Sequence, residues 1–266
     1  MEIRFDEQVA IVTGAGRGLG RSHAIAMASK GAKVVVNDFS GSNVISENAK
    51  SVVQEITSAG GEAIAHGANV ANFDQVQSMV NETIDKWGRV DILVNNAGIL
   101  RDKTFLKMSV EDMREVIDVH LMGSLNCSKA VWEIMREQSY GRIVLTSSSS
   151  GLYGNFGQTN YGAAKMAMVG VMNTLHLEGM KYNIKVNCLA PTAGTAMTDG
   201  LFPEPVFKLM PPESVSPGVV FLCSEDAPSR KVLAAGGGSF AIFKGFETEG
   251  VNLLPDELSA ESVAKY

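Results

Sequence analysis

The sequence predicts one α/β domain, an open doubly wound sheet of seven strands, mainly parallel, with helices on both faces. Strand-like and helix-like patterns alternate from end to end of the 266 residues. The runs VVV and ILV are continuously apolar, as expected of strands buried on both faces. No linker or internal repeat divides the chain, so residues 1–266 read as a single domain.

Gln8–Thr13 is a β-rich apolar run that enters a glycine-rich turn, followed by an Ala/Met-rich helical stretch to about Lys30. Lys33–Asp38 is a second strand and Ser46–Ala59 a helix. Glu62–Gly67 is a weaker strand before a helix over Phe73–Trp87. Asp91–Asn95 is the fourth strand, and Val110–Gln138 carries one long helical pattern. Arg142–Thr146, Thr159–Lys181 and Ile184–Leu189 continue as strand, helix, strand. A helix near Ser216–Ser224 precedes a last strand at Ser239–Phe243.

Composition narrows the function classes. Lys and Arg number 23 and Asp and Glu 29, a net charge of −6 with no basic run, so no nucleic-acid partner is expected. A hydrophobic share of 45% with 20% charged residues argues against a disordered chain. Cys127, Cys188 and Cys223 sit in apolar contexts without metal-ligand spacing. They read as buried free thiols, with no metal site, in a reducing cytoplasmic compartment. Residues 1–7 lack the apolar region of a signal peptide, and no apolar run reaches membrane-spanning length, so no membrane association is expected. All eight prolines follow Ala190, six of them between residues 191 and 217. A regular scaffold followed by an irregular substrate loop at about 192–215, with a tail at about 247–266, is the reading.

Gly14-Ala-Gly-Arg-Gly-Leu-Gly20 lies between a strand and a helix. Glycine suits a backbone that turns sharply and approaches a pyrophosphate, which the helix N-terminus then attracts. Asp38, 18 residues beyond Gly20, closes the second strand, where an acid binds the adenosine ribose hydroxyls and repels a 2′-phosphate. This Rossmann-type arrangement favours NAD over NADP. Arg17 pulls the other way, since a cation in the loop can pair with a 2′-phosphate. An Asp that caps a turn and an Arg on a solvated helix start remain the plain structural readings.

Tyr161 and Lys165, at i and i+4, share one face of a helix that is otherwise apolar. An ammonium near a phenol favours the phenolate, so Lys165 is expected to lower the pKa of Tyr161 and fit it for acid–base work. Ser148 follows a strand at the expected carboxyl edge of the sheet, 13 residues before Tyr161, where its hydroxyl can hold a substrate oxygen.

Thr13-Gly-Ala-Gly-Arg-Gly-Leu-Gly20, Asn95-Asn-Ala-Gly98, Ser148 and Tyr161-x3-Lys165 resemble the short-chain dehydrogenase/reductase family over about residues 5–245. The stretches GILRDKTF (98–105), VHLMGS (119–124), YGRIVLTSSSSGLYGNFGQTNYGAAK (140–165) and APTAGTAMT (190–198) are similar to a narrower subgroup. That subgroup is the (3R)-hydroxyacyl-CoA dehydrogenase part of peroxisomal multifunctional enzyme type 2 and its bacterial relatives. The resemblance implies Tyr161 as acid/base, Lys165 as its tuner and ribose anchor, and Ser148 as partner of the reacting oxygen. It places Gly14, Arg17, Gly18, Leu19, Gly20, Asp38, Asn69, Val70, Asn95, Ala97, Gly98, Pro191 and Thr195 along the dinucleotide.

Three departures from the family pattern stand out. His120 replaces the family's common relay Asn, and stands as either a relay member or a packed histidine. Pro191-Thr192 replaces Pro-Gly. The stretch FSGSNVIS after Asp38 is shorter than the subgroup's insertion, and no hydratase domain follows, which implies a stand-alone dehydrogenase.

The expected reaction is NAD-dependent oxidation of a secondary alcohol, by resemblance a (3R)-hydroxyacyl-CoA of fatty or steroid side-chain origin. An NADPH-dependent 3-oxoacyl or steroid ketone reductase and a catalytically silent nucleotide sensor are the alternatives. Met197, Leu201, Phe202, Phe207 and Met210 in the Pro-rich segment Thr192–Pro212 form either an apolar cover for the acyl group or a packed surface loop. The family resemblance also implies a homodimer or homotetramer built on the two longest helices.

Overall fold

The structure, a computed structural model, describes residues 2–41, 44–198 and 203–265. Eight strands form one sheet in these residues: β1 (Val9–Thr13), β2 (Lys33–Asn37), β3 (Glu62–His66), β4 (Ile92–Asn95), β5 (Gly141–Thr146), β6 (Ile184–Thr192), β7 (Val232–Gly236) and β8 (Ser239–Phe243). Their order is β3-β2-β1-β4-β5-β6-β7-β8, parallel except for the β7–β8 pair. The helices are α1 (Gly18–Ser29), α2 (Glu47–Ser58), α3 (Phe73–Trp87), α4 (Val110–Ile117), α5 (Gly123–Gln138), α6 (Ser149–Tyr153), α7 (Thr159–Gly179), α8 (Glu204–Lys208), α9 (Ser216–Cys223) and α10 (Ala260–Val263).

Strand residues alternate between two apolar layers. Val12, Val36, Val94 and Leu189 pack with Met27, Val52, Ile56 and Val219 from α1, α2 and α9. Ile11, Val35, Leu93 and Ile143 pack on the opposite side with Met79, Val131, Met135 and Met168 from α3, α5 and α7. Both faces are thus dry, which explains why the strands read as unbroken apolar runs. The chain order reverses between β1 and β4, and this switch point opens a crevice at the carboxyl ends of the strands. The three cysteines are free and buried, as their apolar contexts predict.

Two expectations need correction. The sheet has eight strands, not seven. The missing one, β7, ends at Gly236, and a two-residue turn at Gly237-Gly238 leads directly into β8. Both turn glycines have positive φ (55° and 78°), the backbone that a tight hairpin between right-twisted strands requires. The pattern Val110–Gln138 is also not one regular helix. A π-turn over Asp118–Met122 separates α4 from α5.

A buried polar link ties α1 to α9. The Ser216 hydroxyl lies 2.9 Å from His23 Nδ1 and 2.7 Å from the Ser22 hydroxyl. Burial pushes His23 down to a pKa of about 3. Between the ordinary value of 6.5 and about 3, the unfolded chain binds a proton that the folded chain refuses. His23 therefore costs nothing above pH 6.5 and destabilises as pH falls below it, by up to about 1.4 kcal/mol per pH unit. Denaturant unfolding at pH 7.5, 6.0 and 5.0 should show that His23→Asn, which keeps a polar atom near Nδ1, flattens this acid slope. An unchanged slope would disprove the assignment.

Candidate active site

At the switch point the ends of β1 and β4 are clasped by side chains. Thr13 Oγ1 accepts from the backbone N–H groups of Asn96 and Ala97, both at 3.0 Å. Asn96 Nδ2 donates to the carbonyls of Thr13 (2.9 Å) and Gly14 (3.1 Å). At Gly14, Gly16 and Gly20 the turn into α1 has no room for a side chain. A Cβ on Gly14 would lie 2.8 Å from Ala97 Cα, one on Gly16 would strike the Asp38 carboxylate, and one on Gly20 would strike the Gly14 carbonyl. Leu19 turns into the first apolar layer. No side chain caps α1, so its first-turn N–H groups stay open to an anion. Arg17 is exposed and has no side-chain partner among the described residues.

Asp38 follows β2 with its N–H on the His66 carbonyl (3.0 Å), and its Oδ2 accepts from the Ser46 hydroxyl at 2.7 Å. Asn69 and Val70 follow β3. The Asn69 Oδ1 accepts from the Ala71 N–H, and Val70 is buried against Gly123. Asn95 is buried and donates to Ser128 at 3.3 Å, and its Oδ1 is buried without a partner among the described residues. Asn96 rather than Asn95 therefore braces the glycine turn.

The β5 end and α7 bring the proposed catalytic side chains together. Ser148 caps α6, accepting from the Ser150 N–H, and its side chain is hydrogen-bonded to Tyr161. Lys165 is buried; its Nζ donates to the Thr146 carbonyl at 2.7 Å and lies 5.5 Å from the Tyr161 ring centroid. The expected acidic phenol is not what this environment produces. Burial raises the Tyr161 pKa, the Ser148 hydrogen bond partly offsets this, and the Asp102 charge adds to the rise. The same burial lowers Lys165 to about 7, so the shift falls on the ammonium rather than the phenol.

His120 sits in the π-turn, 2% exposed, with its ring edge-on to Tyr161 at 5.2 Å between centroids. Its Nε2 lies 2.8 Å from the Ile99 carbonyl and 3.0 Å from the Ile99 N–H, so each tautomer serves one of the two. Nδ1 is buried with no partner among the described residues. Burial, reinforced by Lys165, holds the imidazole at a pKa of about 3, hence neutral at physiological pH. Gly98 lies flat against this ring, where a Cβ would strike Cε1.

Sequence reasoning missed the residues that fix the rim. Asn160 Oδ1 accepts from the Tyr161 N–H (2.8 Å), while its Nδ2 reaches the carbonyls of Arg101 (3.2 Å) and Asp112 (3.4 Å). Gln158 donates to Asp102 at 2.6 Å. The NFGQTN run carried resemblance but no role for Asn160 or Gln158, and their partners Arg101, Asp112 and Asp102 lie more than 45 residues away in sequence. Pro191 continues β6 opposite Ala235, and Thr195 lies over the glycine turn, its methyl 3.6 Å from where a Gly18 Cβ would sit. Phe207 packs on Gly194, whose N–H donates to the Met210 carbonyl at 2.6 Å. Met197 is partly exposed; Leu201 and Phe202 lie outside the described residues.

A glycine-lined crevice at a parallel-sheet switch point, beside a buried Ser/Tyr/Lys cluster, defines a dinucleotide-dependent oxidoreductase architecture. The chain belongs to the short chain dehydrogenase family, whose model matches residues 8–205. A putative short-chain type dehydrogenase/reductase of Mycobacterium tuberculosis is 47% identical over 251 residues, covering 92% of this chain and 88% of that protein. Peroxisomal multifunctional enzyme type 2 of Drosophila melanogaster is 48% identical over 228 residues, 84% of this chain but only 38% of that enzyme. A 3-oxoacyl-[acyl-carrier-protein] reductase of Synechocystis is 44% identical, covering 83% of this chain and 90% of that protein. Among solved structures, a short chain dehydrogenase from Mycobacterium avium superposes with a TM-score of 0.85 at 40% identity, over 98% of this chain and 94% of that one. A 7α-hydroxysteroid dehydrogenase complexed with NADH and 7-oxo glycochenodeoxycholic acid gives 0.80 at 30% identity, over 88% and 95%. No helix among the described residues is long and apolar enough to cross a membrane.

The Gly98–His120 contact yields a double-mutant test. Gly98→Ala should lower the melting temperature by several degrees, as overpacking of about 1–3 kcal/mol does. In a His120→Ala background the same change should cost much less. Additive losses in thermal unfolding would show that the two residues do not press on each other.

Proposed function

We propose that the chain oxidises a secondary alcohol to a ketone with NAD⁺, the substrate being a (3R)-hydroxyacyl-CoA of fatty or steroid side-chain origin. The observation that carries this reading is the meeting of Ser148, Tyr161 and Lys165 beside a glycine-rich turn backed by Asp38. The residues present fit a dinucleotide. Gly14, Gly16 and Gly20 let the turn pack tightly against Ala97, Asp38 and its own backbone, and no side chain among the described residues caps the N-terminus of α1 that follows. Asp38 keeps Oδ1 free of side-chain hydrogen bonds among the described residues, as a ribose diol would need. The NADH held by the solved hydroxysteroid dehydrogenase supports the same cofactor. The 3-oxoacyl group in the name of the Synechocystis relative supports an acyl substrate.

When bound, NAD⁺ supplies the hydride acceptor. The Ser148 hydroxyl holds the alcohol oxygen within reach of the phenol; Tyr161 gives its own O–H proton to the neutral Lys165 amine and takes the alcohol proton as the carbon gives up its hydride. Lys165, titrating near 7, can pass a proton on at physiological pH at small cost, and the Thr146 carbonyl fixes its position. His120 brings no charge to this relay; it walls the phenol and pins Ile99. A homodimer or homotetramer is supported by the exposed Met166, Leu177 and Met180 along and just beyond α7.

One observation favours a second reading, reduction of a 3-oxoacyl or steroid ketone with NADPH. Arg17 is exposed beside the turn, free to pair with a 2′-phosphate. Titrating both nicotinamides with a panel of acyl-CoA thioesters and sterols separates the two. NAD⁺ should be preferred, and Asp38→Ala should erase the preference; a strong wild-type NADPH preference would reverse the assignment. Tyr161→Phe should lower kcat by about 10²–10⁴-fold while NADH binding, read by fluorescence, stays intact. Unchanged turnover in that variant would sink the mechanism, and absence of turnover in the wild type would favour a nucleotide sensor.

A further inference from the structure

The geometry points to Ser46 as the positioning residue that sets coenzyme choice, by locking the Asp38 carboxylate in the orientation that meets the adenosine ribose. The inference rests on the reading of Asp38 given under the proposed function and goes beyond it, because Ser46 belongs to a different element.

Ser46 is the N-cap of α2 and is 7% exposed. Its hydroxyl accepts from the Ala49 N–H at 3.0 Å, which satisfies one of the helix's open donors. A hydroxyl carries a single hydrogen. With the oxygen fixed by the cap, that hydrogen is committed to Asp38 Oδ2, 2.7 Å away. The cap thus does two things at once: it starts the helix and aims a donor at one oxygen of the carboxylate.

Asp38 itself has no other side-chain partner among the described residues, so Ser46 alone fixes its rotamer from the side chain. The carboxylate is pressed against Gly16, where any Cβ would collide with it, and the Asn48 Cβ flanks the same position. The return of the chain onto the end of β2 is also built in. Phe39 and Ile45 pair in an antiparallel bridge, and the Ser40 hydroxyl donates to the Val44 carbonyl at 3.2 Å. Ser46 arrives at Asp38 by this fold-back, eight residues later in the chain. A hydrogen-bonded and oriented carboxylate gives two services to a diol: a fixed acceptor, and a fixed negative charge where a 2′-phosphate would lie. Without the hydroxyl the carboxylate can swing away from that place and lose both.

The test uses Ser46→Ala, Ser46→Gly, Ser46→Thr and Asp38→Ala in the whole protein, with calorimetric Kd values for NADH and NADPH. Glycine keeps most of the capping free energy while removing the donor, so it separates helix stability from carboxylate orientation. Ser46→Ala and Ser46→Gly should both narrow the NADH-over-NADPH affinity ratio by about tenfold, the size expected of one hydrogen bond to a charged group. Thermal unfolding should separate them, with alanine the less stable. Ser46→Thr, which keeps the hydroxyl, should retain the wild-type ratio. In steady state the loss should fall on KM for NAD⁺ and not on kcat. If Asp38→Ala collapses the ratio while Ser46→Ala and Ser46→Gly leave it within twofold of wild type, Ser46 is a helix cap alone and the inference is overturned. If Asp38→Ala leaves the ratio unchanged, the ribose reading of Asp38 fails, and the role of Ser46 falls with it.

Discussion

The clasp of Thr13 on Asn96 and Ala97 is the contact on which the site is built. A parallel sheet that reverses its winding direction splays its strand ends at the switch point, and the backbone groups exposed there need partners. Thr13 and Asn96 supply them across the gap between β1 and β4. Because the clasp uses the carbonyls of Thr13 and Gly14, it also fixes where the glycine turn departs and hence where α1 begins. Gly98, three residues past the end of β4, then has its place set against His120, and through that ring against Tyr161. The cofactor side and the catalytic side are thereby referenced to one short stretch, residues 96–98.

Burial sets the electrostatics of the catalytic side. Lys165 and His120 are both removed from water, and among the described residues neither has a carboxylate partner in hydrogen-bonding range. Desolvation therefore pushes both toward their neutral forms. The two outcomes differ because their ordinary values differ. The lysine falls to about 7, where it can exchange a proton, and the histidine falls to about 3, where it cannot. Of the two readings of His120 that its place in the sequence left open, this setting supports the packed histidine. A neutral imidazole tied to Ile99 and packed edge-on to the phenol is a wall with a tautomer, not a cation. The π-turn that brings it there costs regular helix hydrogen bonding, and such turns concentrate at functional sites.

The parts of the fold that were legible in the sequence are those governed by local pattern. Phe73–Trp87 coincides with α3 because its apolar spacing, Asn72 cap and Gly88 stop act within the segment itself. The β7–β8 hairpin was equally local. A Gly-Gly turn lies between two apolar runs, but the small side chains of VLAA hid the first strand. The π-turn could not be read, since one inserted residue barely disturbs a helical apolar stripe. Tyr161, Lys165 and Ser148 were legible as residue types at a spacing. Their protonation was not, because it depends on burial contributed by α6, α7 and the β5 end together. Ser46 stood before a visible helix start, but its donation to Asp38 exists only after the chain has folded back on β2.

The proline-free first 190 residues hold the glycine turn, Asp38 and the Ser/Tyr/Lys cluster, all on elements anchored in two apolar layers. The segment beyond Pro191 is constrained differently. Among its described residues up to Val215, only Ala193 and Val215 enter the first apolar layer. It is held by contacts of its own: Thr195 over the turn, the Gly194 N–H on the Met210 carbonyl, and Phe207 against Gly194. Prolines lower the entropy lost in ordering such a segment, so a loop with few core contacts can still present a defined surface. It begins where β6 ends, and Thr195 lies over the glycine turn at Gly18. Its downstream end enters α9 at Ser216, whose hydroxyl is bound to His23 and Ser22 on α1, the helix that opens at the glycine turn. The described ends of the irregular segment thus both adjoin α1, at Gly18 and at Ser22 and His23.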